Sequence, residues 1–428
     1  MSGSDNTAAD TVTVIGAGVV GLACAVCLQR QGYRVSLIDR DEPASGASAG
    51  NAGSISTGSV VPVALPGMAH QIPSWLFDRD GPLSVRWSYL PRAAPWLLRW
   101  LRSAREEPVR RAAVALATLT LSSVDNWSDI LDPEDRARFL RRQGQLLVSR
   151  SADPSPGDLF AQRLREENGV DLAVLGADEI RQMEPELASD FKRGLYVADS
   201  GHSTDPQRMA LRLYAYFLAA GGTFMNADVV ALESAKDGTV VSAVTSGGRL
   251  ATDRIVVAAG AYSNRLASTI GDAIPLETER GYHCMLPDPG IDVRRPVSDM
   301  DRKFFATGME DGVRIAGTVE IAGVDAAPNH DRARLLMRQG REMFPRLSTD
   351  QHRYWMGRRP SIPDSMPVIG PSPSRPNVWY AFGHGHIGLT TAPITGRIIA
   401  ALIAGAAPPV DPSPFSVDRF RSRTVNRP

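Results

Sequence analysis

The stretch Thr11-Val-Thr-Val-Ile-Gly16-Ala-Gly18-Val-Val-Gly21 decides the fold. Thr11 to Ile15 is rich in β-branched residues and reads as a buried strand. Val19 to Arg30 reads as a helix with small residues on its early turns, and Arg34-Val-Ser-Leu-Ile-Asp39 as a second strand ending in an acid. Together they begin a βαβ unit. The spacing Gly16-x-Gly18-x-x-Gly21 arises by chance in glycine-rich chains, but here it follows a strand and opens a helix. The first two glycines permit a tight turn and close approach of backbone to a phosphate, and the helix start offers N–H groups to the anion. Asp39 falls where an acid accepts a ribose 2′-hydroxyl, which disfavours a 2′-phosphate. A glycine turn that merely packs a helix on a sheet is the plain alternative.

A second glycine-rich helix start lies far downstream, at Tyr380-Ala-Phe-Gly383-His-Gly385-His-Ile-Gly388-Leu-Thr390-Thr391. Two such elements at opposite ends of the chain suggest a long cofactor gripped at both ends, FAD more than NAD. N–H groups at the start of the last helix could stabilise negative charge on a reduced flavin. His384 and His386 lack a third ligand at helical spacing, so a turn role is expected and no metal. Cys24 and Cys27 likewise read as buried small side chains in the first helix.

Length and composition set the frame. At 428 residues, two domains are expected. Hydrophobic residues at 43% and charged residues at 22% fit a soluble globular protein. The 47 basic and 47 acidic residues cancel, so no general attraction to nucleic acid is expected. Three cysteines make no disulfide framework, and a reducing compartment fits. Residues 1–10 lack the build of a signal peptide, and the apolar run from Ile398 to Ala407 is too short to span a bilayer. The expected location is the cytoplasm, with a peripheral contact on the cytoplasmic face of the inner membrane as an added possibility.

Between the termini, Ser45 to Gly58 is loop by composition. Its small residues would let backbone pass close to a cofactor, with hydroxyl and amide groups meeting phosphate or ribityl oxygens; a flexible surface loop is the alternative. Proline and tryptophan (Trp75, Trp87, Trp96, Trp100) mark Val60 to Arg105, read as a helical part of the substrate domain or a membrane-surface or partner patch. Helices are expected over Ala112–Leu131, Asp158–Asn168, Pro206–Ala220, with Asp205 as cap, Asp331–Met343 and Thr391–Ile403. Strands are expected at 224–232, 240–246, 254–260, 279–286, 313–321 and 377–382, with a less regular middle. The strand Arg254-Ile-Val-Val-Ala-Ala-Gly260 is similar to one that closes over the adenosine end of a dinucleotide. In Gly357-Arg358-Arg359-Pro360, a guanidinium on a stiff loop could hold a substrate carboxylate in a bidentate fork, or could serve a structural ion pair.

The motifs taken together resemble a family. Gly-Ala-Gly-Val-Val-Gly with Asp39-Arg40, Gly50-Asn51-Ala52-Gly53-x-Ile-Ser56, Arg359-Pro-x-x-Pro-Asp364 and Gly383-His-Gly385-x-x-Gly388-x-Thr390 resemble the FAD-dependent D-amino-acid dehydrogenases of the D-amino-acid oxidase, glycine oxidase and sarcosine oxidase superfamily. The Trp75-Leu-Phe stretch also resembles the dehydrogenase subgroup. The resemblance implies an α/β FAD-binding Rossmann-like domain, discontinuous in sequence, plus an α+β substrate domain with a mixed or antiparallel sheet. The division reads as 1–59, 200–275 and 355–428 for FAD, and 60–199 and 276–354 for substrate.

It also implies oxidation of the Cα–N bond of a D-amino acid by hydride transfer from Cα to flavin N5, giving an imine and then an oxo acid. A cyclic substrate such as D-proline or a hydroxy-D-proline would give a cyclic imine. Electrons would pass to a quinone or other acceptor; an oxidase of glycine, sarcosine or another secondary amine, or a redox subunit of a larger complex, are the rival readings. Arg359 matches the carboxylate-binding arginine, and Tyr282 and His384 join it as catalytic candidates. The implied cofactor contacts are Gly16, Gly18, Val20, Gly21, Asp39 and Arg40, then Ser48, Asn51, Ala52, Gly53 and Ser54. Val229, Ala259 and Gly260 follow at the adenosine end, and Arg359, Gly383, His384, Gly385, Gly388, Leu389 and Thr390 at the flavin end. No cysteine follows the C-terminal motif, so FAD should be noncovalent. His386 is less familiar in that motif and bears on substrate choice.

Overall fold

The structure, a computed structural model, describes residues 11–68, 78 and 80–421. Trp75 and the first ten residues therefore lie outside the described residues. The strand Thr11–Ile15 is central in a six-stranded sheet. Parallel to it run Arg34–Asp39 on one side and Ile255–Val257 on the other, flanked by Thr223–Asn226 and Val378–Phe382. Val368–Pro371 closes one edge antiparallel to Val378–Phe382. Thr11–Ile15 and Val378–Phe382 run parallel on either side of Ile255–Val257, which brings the two glycine-rich turns that follow them to one end of the sheet.

The helix Val19–Arg30 crosses over this sheet and packs against the last helix, Gly388–Ile403. The two backbones touch at Gly396, where a Cβ would sit 2.6 Å from the Ala23 carbonyl oxygen. Both helices are apolar nearly all round and belong to one buried cluster, as expected for helices covered on both sides.

The middle of the chain is more regular than its composition suggests. It builds a nine-stranded mixed sheet whose edge is Arg353–Ser361, followed by Glu277–Leu286, Gly312–Ile321 and Phe304–Met309. Val297–Asp299, Gln145–Ser149, Arg193–Val197 and Leu172–Gly176 continue it, and Leu83–Val85 pairs with Gly312–Ile321. Several of these strands are buried on both faces, which removes the alternation that betrays a strand in sequence. Arg353–Ser361 pairs along its whole length with Glu277–Leu286, so the expected boundary at 355 falls inside a strand.

Two other expectations are corrected. Ala112–Leu131 is two helices, Glu106–Thr120 and Ser123–Ile130. The strand expected over 224–232 is also two, Thr223–Asn226 in the parallel sheet and Val229–Ser234 in a separate antiparallel one. The Ala227 N–H donates to the Asp39 carbonyl as the last rung of the parallel ladder, and the chain leaves that sheet after it. The helix Leu90–Ser103 buries Ala93, Trp96 and Trp100 on one face, so those tryptophans face inward. Among the described residues, no helix is long and apolar enough to cross a membrane.

Candidate functional site

A single cavity of about 1360 Å³ runs between the six-stranded and nine-stranded sheets. Drug-sized sites measure roughly 300–1,000 Å³, so this one has room for a dinucleotide and a small substrate together.

At one end lies the first glycine turn. Gly16 has φ +114, and a Cβ there would lie 2.3 Å from the Ala258 carbonyl oxygen. Gly21 is equally confined, with an added Cβ 1.9 Å from the Gly16 carbonyl oxygen. Gly18 differs: an added Cβ would meet only Ser48 Oγ, at 3.5 Å. Gly16 and Gly18 line the cavity with Val20, whereas Gly21 does not and serves helix–strand contact instead. The helix start has no side-chain cap of its own, and Ser48 supplies one from the loop by accepting the Val19 N–H at 2.9 Å.

Asp39 stands beside this turn, on the cavity wall. Its carboxylate accepts the Ala17 N–H at 2.6 Å and the Asp41 N–H at 3.1 Å. Burial pushes its carboxyl above the ordinary value, partly offset by those two backbone hydrogen bonds. Arg40 forms an ion pair with Asp228 at 3.0 Å and lies over the Tyr262 ring. Val229, Ala259 and Gly260 complete this end of the wall.

The loop after Asp39 runs along the cavity floor. Ser48, Asn51, Ala52 and Ser54 line it; Gly53 does not. Gly53 has φ +81 and is hemmed in by Met309 and the Ser203 carbonyl, while its N–H is held by Asn51 Oδ1 at 2.9 Å. Arg314 donates to the Asn51 carbonyl at 2.5 Å, and His283 Nδ1 lies 3.1 Å from the Gly50 carbonyl. The loop is thus pinned to the nine-stranded sheet and is no free surface loop.

At the far end, Gly383, His384, Gly385, Gly388, Leu389 and Thr390 all reach the cavity. The Gly385 N–H donates to the Pro360 carbonyl at 2.8 Å, and Ser361 bridges to His384. These contacts bolt the second glycine turn to the strand that carries Arg359. The His384 ring is buried, with Nε2 3.1 Å from Thr395 Oγ1, and burial pushes its pKa down to about 3. A neutral ring tied to the last helix has little to offer as an acid or base.

Arg359 lies in the wall facing this turn. Its guanidinium rests on Gly281, where an added Cβ would sit 2.1 Å from Cζ. One nitrogen donates to the Thr318 carbonyl at 3.0 Å. That carbonyl is aimed by a bulge: Arg280 pairs with Glu320 and Tyr282 with Gly317, leaving Thr318 and Val319 opposite Gly281. Thr318 adopts φ +54, a strained conformation for a β-branched residue, and such strain clusters at functional sites. Among the described residues, no carboxylate is in salt-bridge contact with Arg359. Burial lowers its pKa, opposed by the nearby charge of Glu279.

Tyr282 is placed differently from expectation. It contributes to the wall, but its hydroxyl donates to Glu320 at 2.5 Å and accepts the Asn329 N–H at 3.0 Å. Side chains alternate along a strand, and Arg359 shares its face with Glu279 and Gly281. Tyr282 and Arg280 point the other way, where both meet Glu320. The residue the sequence reading passed over is Glu279, one of the groups nearest Arg359, with His386 Nε2 2.9 Å from its Oε2. An acid inside a ten-residue, wholly buried strand is the signal that could have marked it. Among the described residues no cluster suited to a metal ion is present.

The family described as "FAD dependent oxidoreductase" (DAO) has a model that matches residues 11–402. A protein named D-amino-acid oxidase from Bradyrhizobium diazoefficiens is 40% identical over 416 residues, covering 96% of this chain and 98% of that one. A D-amino acid dehydrogenase from Vibrio atlanticus is 30% identical over 417 residues, covering 96% and 99%. Among solved structures, glycine oxidase from Geobacillus kaustophilus superposes with a TM-score of 0.72 at 20% identity, covering 96% and 99%. L-proline dehydrogenase from P. horikoshii gives 0.73 at 18%, covering 96% and 98%. At those identities the structural likeness concerns the fold.

Proposed function

Because the chain belongs to the DAO family of FAD-dependent oxidoreductases, we propose that it oxidises the Cα–N bond of a D-amino acid whose carboxylate is held by Arg359. The observation that carries this is the Arg359 guanidinium, laid on Gly281 in the cavity wall with one N–H spent on Thr318 and no other side-chain hydrogen bond among the described residues. A planar fork of that kind matches a carboxylate in two parallel hydrogen bonds.

The residues present fit FAD. The turn at Gly18 is open toward the cavity, Ser48 caps the helix start, and Asp39 waits at the end of the second strand. Gly16, Gly18, Val20 and Ser48 would hold the pyrophosphate. Asp39, Arg40, Val229, Ala259 and Gly260 would hold the adenosine, and Asn51, Ala52 and Ser54 the linker. Gly383 to Thr390, with the N–H groups that open the last helix, would face the ring. FAD supplies the two-electron acceptor for the hydrogen that leaves Cα. Arg359 fixes the carboxylate and thereby selects which face of Cα is presented.

In this reading FAD is noncovalent. Segments 1–59, 200–275 and 355–428 serve the cofactor, and 60–199 and 276–354 the substrate, with Arg353–Ser361 shared between them. A cyclic substrate such as D-proline, and electron transfer to a quinone or other carrier at a cytoplasmic site, rest on the resemblance to the dehydrogenase subgroup. The relative named an oxidase supports dioxygen as acceptor instead. Anaerobic bleaching of the flavin against D- and L-amino acids tests the substrate class, and failure with every D-amino acid would overturn it. Peroxide formed in step with turnover in air would decide for the oxidase.

A further inference from the structure

Beside Arg359 lies a carboxylate that the carboxylate clamp leaves without a task. Glu279 is the direct partner of Arg359 in the antiparallel pair. Residues so placed carry their Cβ atoms about 4.5–5.5 Å apart on one face of the sheet. Glu279 is 5% exposed and lines the cavity. A buried carboxylate is costly unless charge and hydrogen bonds compensate it.

Its surroundings are few. His386 Nε2 sits 2.9 Å from Oε2, from the turn before the last helix. Arg359 and Ser361 face it from the neighbouring strand, and Glu277 adds like charge from its own. Burial opposes ionisation, but the hydrogen bond and charge of His386, the charge of Arg359 and the Ser361 hydroxyl together hold the carboxyl below its ordinary value. The group is therefore an anion at neutral pH. Among the described residues, no arginine or lysine is in salt-bridge contact with it. Close by, the Thr318 hydroxyl is buried in the same wall without a hydrogen-bond partner among the described residues.

A free amino acid presents a carboxylate and an ammonium separated by one carbon. The wall presents a guanidinium and a carboxylate separated by one inter-strand step. We propose that Glu279, oriented by His386, is the subsite for the substrate's amino group, so that Arg359 and Glu279 grip the two ends of the zwitterion. The inference rests on the carboxylate clamp proposed for Arg359. The class of ligand follows: α-amino acids with an unblocked primary or ring nitrogen, with N-acylated ones excluded. His386 is a positioning residue here, holding the carboxylate through its ring N–H.

The test uses two unreactive ligands on the FAD-loaded enzyme. α-Aminoisobutyrate has no hydrogen on Cα and so cannot be oxidised there; isobutyrate is the same acid without the amine. Binding is read by calorimetry and by perturbation of the flavin spectrum. The native enzyme should prefer the amine-bearing ligand by about tenfold or more, as a charge-assisted contact affords. Glu279→Gln should abolish that preference while leaving isobutyrate bound as well or better. Should Glu279→Gln not fold, Glu279→Asp, with its carboxylate withdrawn by one carbon, should reduce the preference. His386→Gln, which keeps an N–H donor, should retain most of it, and His386→Ala should lose it. Arg359→Lys should weaken both ligands. A full preference in Glu279→Gln, or in Glu279→Asp where only that variant folds, overturns the inference. Unchanged isobutyrate binding in Arg359→Lys overturns the carboxylate clamp instead.

Discussion

Gly281 and Arg359 compete for one volume: a Cβ on Gly281 would lie 2.1 Å from Cζ of Arg359 and 2.3 Å from each terminal nitrogen. The guanidinium can lie flat on the strand only because residue 281 has no side chain. Gly281→Ala should therefore lift the fork away from the Thr318 carbonyl. Misplacement on the order of 1 Å costs roughly a hundredfold in rate, so kcat/KM should fall about that far with flavin content unchanged. Steady-state kinetics beside the flavin absorbance of the purified variant measure both, and unaltered kinetics would remove Arg359 from the substrate site.

Asp39 braces the glycine turn through the Ala17 N–H at 2.6 Å and also faces the cavity. Asp39→Asn keeps an oxygen for that N–H but loses the charge. The variant should fold normally as apoprotein yet retain FAD poorly after gel filtration. Full occupancy would count against Asp39 as a ribose contact.

Tyr282 gives its hydroxyl to Glu320, which also meets the fully buried Arg280. Tyr282→Phe leaves a buried carboxylate short of one donor, at a cost of about 1–3 kcal/mol. Thermal unfolding should shift down while kcat/KM stays within about threefold, because the hydroxyl points away from Arg359. A large loss of activity at unchanged stability would restore Tyr282 as a substrate contact.

Three buried histidines make the fold acid-sensitive. Burial holds His384 and His283 at about 3 and His202 at about 4, against an ordinary value of 6.5. The unfolded chain binds these protons and the folded chain does not, so their contribution is intact above pH 6.5 and is lost as pH falls toward those lower values. Each ring weakens the fold by about 1.4 kcal/mol per pH unit below 6.5. Urea midpoints should be flat from pH 8 to about 7 and drop steeply between about 6 and 5, a window above most carboxylate titrations. A flat profile there would mean that these rings are solvated.

Much of the cofactor end is legible from local pattern. Thr11–Ile15, Val19–Arg30 and Arg34–Asp39 occur where their residues say they should, since a β-branched run, a glycine turn and an apolar helix are each local signals. Asp331–Met343 likewise matches its expected bounds, and Asp205 caps Pro206–Ala219 by accepting the Arg208 N–H. The nine-stranded sheet was largely hidden. Strands such as Gln145–Ser149, buried throughout, show no alternation, and their pairing partners lie tens to hundreds of residues away.

The residues of the site divide the same way. Sequence alone determined the glycine turns, the acid at the end of the second strand and the arginine between Gly357 and Pro360, because each is a property of a short run. Only the tertiary structure decided which neighbours those groups have. The bulge at Thr318 sets which carbonyl meets Arg359. Strand parity turns Tyr282 to the far face and Glu279 to the near one. The pairing of Glu279 with His386 spans 107 residues. Side-chain direction reverses with every residue of a strand, so one unit of register separates the carboxylate beside Arg359 from the hydroxyl bound to Glu320 on the opposite face.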